Sequence, residues 1–133
     1  MIAQRIDFPV IQDERGKLVS LEHTGVIPFE IKRIYYLFEL DPSLRRGFHA
    51  HKKLSQVIFC INGSCNIKVD NGHSTEELFL DSPEEGFLIK GNIWREMYNF
   101  SQDCILVVVA SEVYEEEDYI RNYDEFLRVV NES

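Results

Sequence analysis

The sequence predicts an all-β domain, a sandwich or barrel, that ends in one short helix. Short runs rich in β-branched and aromatic residues recur at roughly 8–12-residue spacing, with turn residues between them. One run, Cys104 to Ala110, is apolar throughout, which suits a strand covered on both faces. From Tyr119 the period changes, and Ile120, Tyr123, Phe126, Leu127 and Val130 form a helical stripe.

Taken in order, Arg5 to Val10 reads as a short strand. Asp13-Glu14-Arg15-Gly16 is a turn, with Gly16 free to take positive φ. Lys17 to Glu22 alternates beyond it, and Gly25 and Pro28 break the chain. Ile31 to Phe38 is a strand on which Arg33 and Tyr35 share one face and Tyr36 takes the other. Asp41-Pro42-Ser43 is a loop before Arg46-Gly47-Phe48-His49-Ala50-His51. As a strand, that segment turns His49 and His51 to the same side. Gln56 to Ile61 is a strong strand. The Asn62-Gly63 that follows is the best hairpin signature in the chain, and a two-residue turn there would set Cys60 opposite Cys65 as reduced thiols. Asp70-Asn71-Gly72 is a further turn. Ser74 to Leu80, Gly86 to Ile89 and Ile93 to Asn99 complete the strands, with Trp94 read as barrel packing and Cys104 as a core thiol. The acidic run Glu115-Glu116-Glu117-Asp118 reads as a solvated cap on a helix of residues 117–131. Residues 1–133 show no repeat, low-complexity segment or linker, so one domain is expected.

Composition narrows the function. The net charge of −9 argues against sequence-independent nucleic-acid binding and against anionic membranes. No segment approaches the ~20 apolar residues of a membrane span, and the N-terminus lacks a signal peptide's apolar stretch. Three cysteines without a CxxC pattern fit a reduced, cytoplasmic protein. Residues 1–60 carry nine Lys/Arg against seven Asp/Glu, so the cations for an anionic ligand gather in the first half.

His49 and His51 hold the chemistry. Imidazole titrates near 6.5, so a pair aimed into a pocket can move protons at neutral pH. A nearby arginine can stabilise an oxyanion as it forms. The other reading of the pair is a surface or metal-binding motif. His49-x-His51, four residues, Gln56, six residues and Gly63 resembles the first motif of the cupin superfamily, a double-stranded β-helix (jelly-roll) barrel. Glutamine stands where cupins place a metal-binding glutamate, and Arg95, four residues before Asn99, stands where they place a third histidine. A neutral amide and a fixed cation replace two of four ligands, so no catalytic metal and no cofactor are expected. His23 and His73 lie in turn-flanked polar stretches and are not expected to complete a site.

A narrower resemblance covers nearly the whole chain. Ile31 to Tyr36, Arg46 to Lys52, Gln56, Gly63-Ser64-Cys65, Trp94 to Ser101 and Asp118 to Tyr123 resemble the sugar-nucleotide 3,4-ketoisomerases, a metal-free cupin family. The resemblance implies conversion of dTDP-4-keto-6-deoxy-glucose to the 3-keto sugar through an enediolate, for amino sugars of bacterial surface polysaccharides. It implies His49 as main base, His51 as acid/base partner, and Tyr35 and Arg46 as groups that position the sugar and steady negative charge. Arg15, Arg33, Gln56 and Arg95 would line the pocket. It also implies a homodimer with N-terminal strands, residues 1–24, exchanged between subunits. Position 95 leaves the galacto or gluco configuration of the product open. The competing readings are a sugar-nucleotide 3,5-epimerase, whose histidine would need a carboxylate partner not found around His49, a non-catalytic nucleotide-sugar-binding cupin, and a metal-dependent cupin oxygenase.

Overall fold

A computed structural model describes residues 1–132. The strands are β1 (Gln4–Asp7), β2 (Val10–Asp13), β3 (Gly16–Val19), β4 (Arg33–Leu37), β5 (Arg46–His51), β6 (Gln56–Asn62), β7 (Cys65–Asp70), β8 (Thr75–Leu80), β9 (Glu85–Ile89), β10 (Trp94–Tyr98), β11 (Ile105–Ala110) and β12 (Tyr119–Ile120). A 3₁₀ turn, Glu116–Asp118, precedes β12, and α1 (Tyr123–Glu132) closes the chain. Two five-stranded antiparallel sheets face each other, in the orders β1-β9-β6-β11-β4 and β12-β5-β10-β7-β8, while β2 and β3 form a separate hairpin. This is the expected all-β barrel with its short C-terminal helix. Among the described residues, no helix is long and apolar enough to cross a membrane.

Strand alternation assigns each face. Ile58, Cys60, Leu106 and Val108 of the first sheet meet Ile67, Val69, Leu78 and Met97 of the second in the main core. The opposite face of the first sheet, Val57, Phe59, Leu88 and Val109, is covered by Phe8 and Ile27 of the N-terminal segment. The outer face of the second sheet, Ala50, Trp94 and Ile120, is covered by Phe126 of α1. Trp94 is therefore packing, as expected.

Three elements depart from the sequence reading. Arg5 to Val10 does not run as one strand, because Phe8-Pro9 separates β1 from β2. Asn62-Gly63 turns the chain but makes no hairpin: β6 pairs with β9 and β11, whereas β7 pairs with β8 and β10. The chain crosses from one sheet to the other at Gly63, whose φ is +69°. A Cβ at Gly63 would lie 2.3 Å from Ser101 Oγ and 2.8 Å from Cys104 Cα, so Gly63→Ala is expected to cost at least about 2 kcal/mol in denaturant unfolding. An unchanged unfolding midpoint would show that the turn relaxes freely. The helix begins at Tyr123, not residue 117, because Tyr119 and Ile120 pair with His51 and Ala50 at the sheet edge. Asn122 Oδ1 then accepts from the Glu125 amide, a side-chain cap that fixes the start.

Candidate active site

The first sheet contributes a cross-strand row. Ala110 of β11 pairs with Arg33 on one side and Gln56 on the other, and Val108 likewise lies between Tyr35 and Ile58. Val108 and Ile58 belong to the interior, so Arg33, Tyr35 and Gln56 face inward. Tyr36, on the opposite parity, is 62% exposed. From the second sheet, Arg95 pairs with Val69 and with His49, and all three share the inner face. A bulge brings this about. Gly47 and Phe48 have φ of +94° and +59°, and the β10 register shifts beside them, between Arg95 and Glu96. A Cβ at Gly47 would meet the Arg95 carbonyl at 2.8 Å, so glycine is required where β5 bends.

The two imidazoles lie edge to face, with centroids 4.9 Å apart. The Tyr119 ring is 4.4 Å from His51 and 5.1 Å from His49. His51 is 1% exposed, whereas His49 is half-buried. His51 Nδ1 lies 3.2 Å from Asp118 Oδ2, and Asp118 also accepts from the amides of Lys53 and Leu54 at 2.7 and 3.3 Å. Asn92 N donates to the His51 carbonyl at 2.6 Å, which pins the backbone. The Arg33 guanidinium sits 4.4 Å over the Tyr35 ring and 5.3 Å over that of Tyr114.

Five buried polar atoms of the described residues lack a partner: Arg33 Nη1, His51 Nε2, Gln56 Oε1, Arg95 Nε and Arg95 Nη1. All belong to inward-facing residues of this group. Buried polar groups of folded proteins are normally hydrogen-bonded, so these atoms are the donors and acceptors that this end of the barrel can offer a polar ligand.

Burial and the Arg95 charge hold His49 down to about 4. The same two causes, joined by His49 itself, hold His51 at about 3 against the pull of Asp118. Burial lowers Arg95 only to about 10 and raises Tyr35. At neutral pH the site therefore holds two neutral imidazoles, a protonated phenol and a guanidinium. The folded chain rejects protons that the unfolded histidines bind near 6.5. These residues leave stability intact above about pH 6.5 and erode it as pH falls from there toward 3. The urea midpoint is expected to fall across that window, and a His49→Asn/His51→Asn double variant to lose much of the slope. An equal slope in the double variant would place the acid sensitivity elsewhere.

Arg33, Tyr35, His49, His51, Gln56 and Arg95 thus converge. Arg15 does not join them within one chain: it sits in the β2–β3 turn, bonded to Asp13. Arg46 lies exposed at the start of β5. Two contributors escaped the sequence reading. Asp118 is the carboxylate partner of His51, not part of a solvated cap, and Tyr119 packs at a tilt against both rings. His51 thus has the kind of carboxylate partner that an epimerase histidine would need, supplied from 67 residues away. His23 and His73 are exposed and in other regions. As for metal ligands, among the described residues Cys60, Cys65 and Cys104 are the one group of three that converges, and the histidine pair is not joined by a third ligand into such a group. A cation placed at the imidazoles would face Arg95. A cavity of about 450 Å³ lined by Arg5, Phe29 and Lys90 is not lined by the histidines. Another of about 330 Å³ touches Asp118, but Glu112, Glu115, Glu117 and Asp118 outnumber its three lysines, which makes it a poor anion site.

Comparison with known proteins identifies the family. Residues 1–131 match the family model described as FdtA: WxcM-like, C-terminal. A TDP-4-oxo-6-deoxy-alpha-D-glucose-3,4-oxoisomerase of Aneurinibacillus thermoaerophilus is 49% identical, with 94% of this chain and 90% of that protein covered. A 3,4-ketoisomerase from Helicobacter canadensis superimposes with a TM-score of 0.95 at 47% identity, covering 98% of both chains. QdtA, a sugar 3,4-ketoisomerase of Thermoanaerobacterium thermosaccharolyticum solved with TDP, gives 0.95 at 41%, covering 98% of this chain and 96% of that one. The rmlC epimerase of Mycobacterium tuberculosis, at 14% identity and a TM-score of 0.74 over 89% of this chain and 67% of that one, shares the cupin-type barrel. On the full-length family match and these relatives, the chain belongs to the FdtA (WxcM-like, C-terminal) family of sugar 3,4-ketoisomerases.

Proposed function

We propose that the protein moves the ketone of dTDP-4-keto-6-deoxy-glucose from C4 to C3. The observation that carries this is the set of unpartnered buried polar atoms around two neutral imidazoles. The C4 ketone acidifies the C3 proton. His49, the imidazole of the pair that is open to a ligand, removes it. The resulting enediolate spreads negative charge over the C3 and C4 oxygens. Arg95 Nε and Nη1 and the Tyr35 hydroxyl supply donors there, in an interior where charge is poorly screened. A proton returned to C4 leaves the ketone at C3. His51, fixed by Asp118 with Nε2 free, passes protons to and from His49. Arg33 and Gln56 hold sugar hydroxyls, and Arg46 steadies the ligand from the open end of β5. QdtA has been solved with TDP, and a histidine-to-asparagine variant of it with TDP-4-keto-6-deoxyglucose, which supports the choice of ligand.

The N-terminal hairpin carries Arg15 away from its own site, and a homodimer that exchanges these strands would bring a second copy's arginine to it. Sedimentation at micromolar concentration is expected to give a dimer.

The test is a proton NMR time course in deuterated water with no added metal. Deuterium is expected at C4, with a 3-keto product. Unchanged substrate would remove the assignment, and exchange at C5 would make the protein an epimerase. Asp118→Asn is expected to lower kcat about 10- to 100-fold with little change in KM, because an amide nitrogen cannot accept from Nδ1–H and the imidazole loses its tautomer. Full activity in that variant would make the His51–Asp118 contact purely structural.

A further inference from the structure

The interior holds a second cluster that the ketoisomerase chemistry does not use. Cys60 ends the inward row of β6, Cys65 opens β7 in the facing sheet, and Cys104 precedes β11. They are 0%, 0% and 2% exposed. Cys60 Sγ lies 3.7 Å from Cys65 Sγ and 3.7 Å from Cys104 Sγ, and all three sulfurs fall within 4.8 Å of one another. The Gly63 crossover, packed against Ser101 and Cys104, holds the three segments together. Gln56 lies four residues before Cys60 on the same face of β6, so the thiols sit roughly 13 Å from the site's amide.

We propose that these three thiols form a binding site for a trivalent thiophilic metalloid, arsenic(III) being the probe. The spacing suits one central atom. With the third sulfur pair at its 4.8 Å limit, a point equidistant from all three lies about 2.4 Å from each, close to the about 2.3 Å of a metal–thiolate bond. Charge selects the valence. Ile58, Ile67, Leu80, Phe100 and Leu106 of the same buried cluster provide no counter-charge. Three thiolates leave a net charge around a monovalent or divalent ion, which an apolar core resists. A trivalent centre leaves none. Among the described residues, no fourth ligand joins the group to make a structural zinc site. Binding is an exchange without redox change: arsenous acid, As(OH)₃, loses three As–O bonds, forms three As–S bonds, and each displaced hydroxide leaves as water with a thiol proton. Burial pushes the Cys104 thiol up to about 12, and the hydrogen bond with Cys65 raises Cys60 as well, so these two enter as neutral S–H groups.

The test loads reduced protein with arsenite in two ways, by incubation when folded and by refolding in its presence. Native mass spectrometry is expected to show one arsenic per chain with three protons lost, and Tm to rise by about 10 °C at a hundredfold excess over Kd. Cys104→Ser and Cys65→Ala, each checked for native circular dichroism, are expected to bind at least tenfold more weakly. No bound arsenic by either route, undiminished binding in both variants, or an equal Tm rise with zinc(II) would overturn the assignment.

Discussion

His49→Asn is expected to lose at least about 100-fold in kcat while keeping the fold and the affinity for TDP. Asparagine is close in size and can preserve a polar contact, but it cannot take a proton near neutrality. His49 is half-buried, and its ring rests against His51 and Tyr119 without carrying core packing, so Tm should move little. Deuterium exchange at C3 without turnover gives a sharper readout than the rate. If His49 is the base, the variant shows neither exchange nor product. If exchange at C3 persists and only product formation fails, the roles of the two histidines are reversed. A fully active variant would leave the proton transfers to other groups. The pH profile adds a second check: kcat/KM of the free wild-type enzyme should stay level down to about pH 5, because both imidazoles remain neutral well below 6.5.

What the sequence made legible follows the range of the interactions. Local patterns carried far. Alternation in Ile31 to Phe38 put Arg33 and Tyr35 on one face, and they are found together with a cation over a ring. His49 and His51 kept common parity even though a bulge precedes them, because the extra residue, Phe48, lies upstream of both. Motif spacing set position 95 beside the histidines, and Arg95 does pair with His49 across β10 and β5. Long-range pairing was less visible. Asp118 looked like one more carboxylate in an acidic run. Its role depends on β12 docking beside β5, and a two-residue strand has no periodicity of its own. Asn62-Gly63 carried a hairpin signature, yet the flanking strands joined different sheets, because their apolar residues are satisfied across the barrel instead of side by side. The thiols still came face to face, through the core.

Arg95→Met should separate stability from catalysis more clearly than any other change, because its two effects have opposite signs. The guanidinium is 1% exposed, with one hydrogen bond to the Ile93 carbonyl and two nitrogens without partners. A buried cation so poorly satisfied is a cost to the folded chain, and an unbranched apolar residue in its place is expected to raise stability by about 1–4 kcal/mol. The same two free nitrogens are what an enediolate would meet, so kcat is expected to fall about 10²- to 10³-fold. Removing the charge also removes the second cause that depresses both histidines. Their titration should move up toward 6.5, the acid limb of kcat/KM should follow, and the loss of stability on acidification should become shallower. A variant that is less stable yet fully active would identify Arg95 as a structural strut. One that is more stable, slower and shifted in pH profile would establish that the fold keeps an unfavourable charge in place for the ligand it awaits.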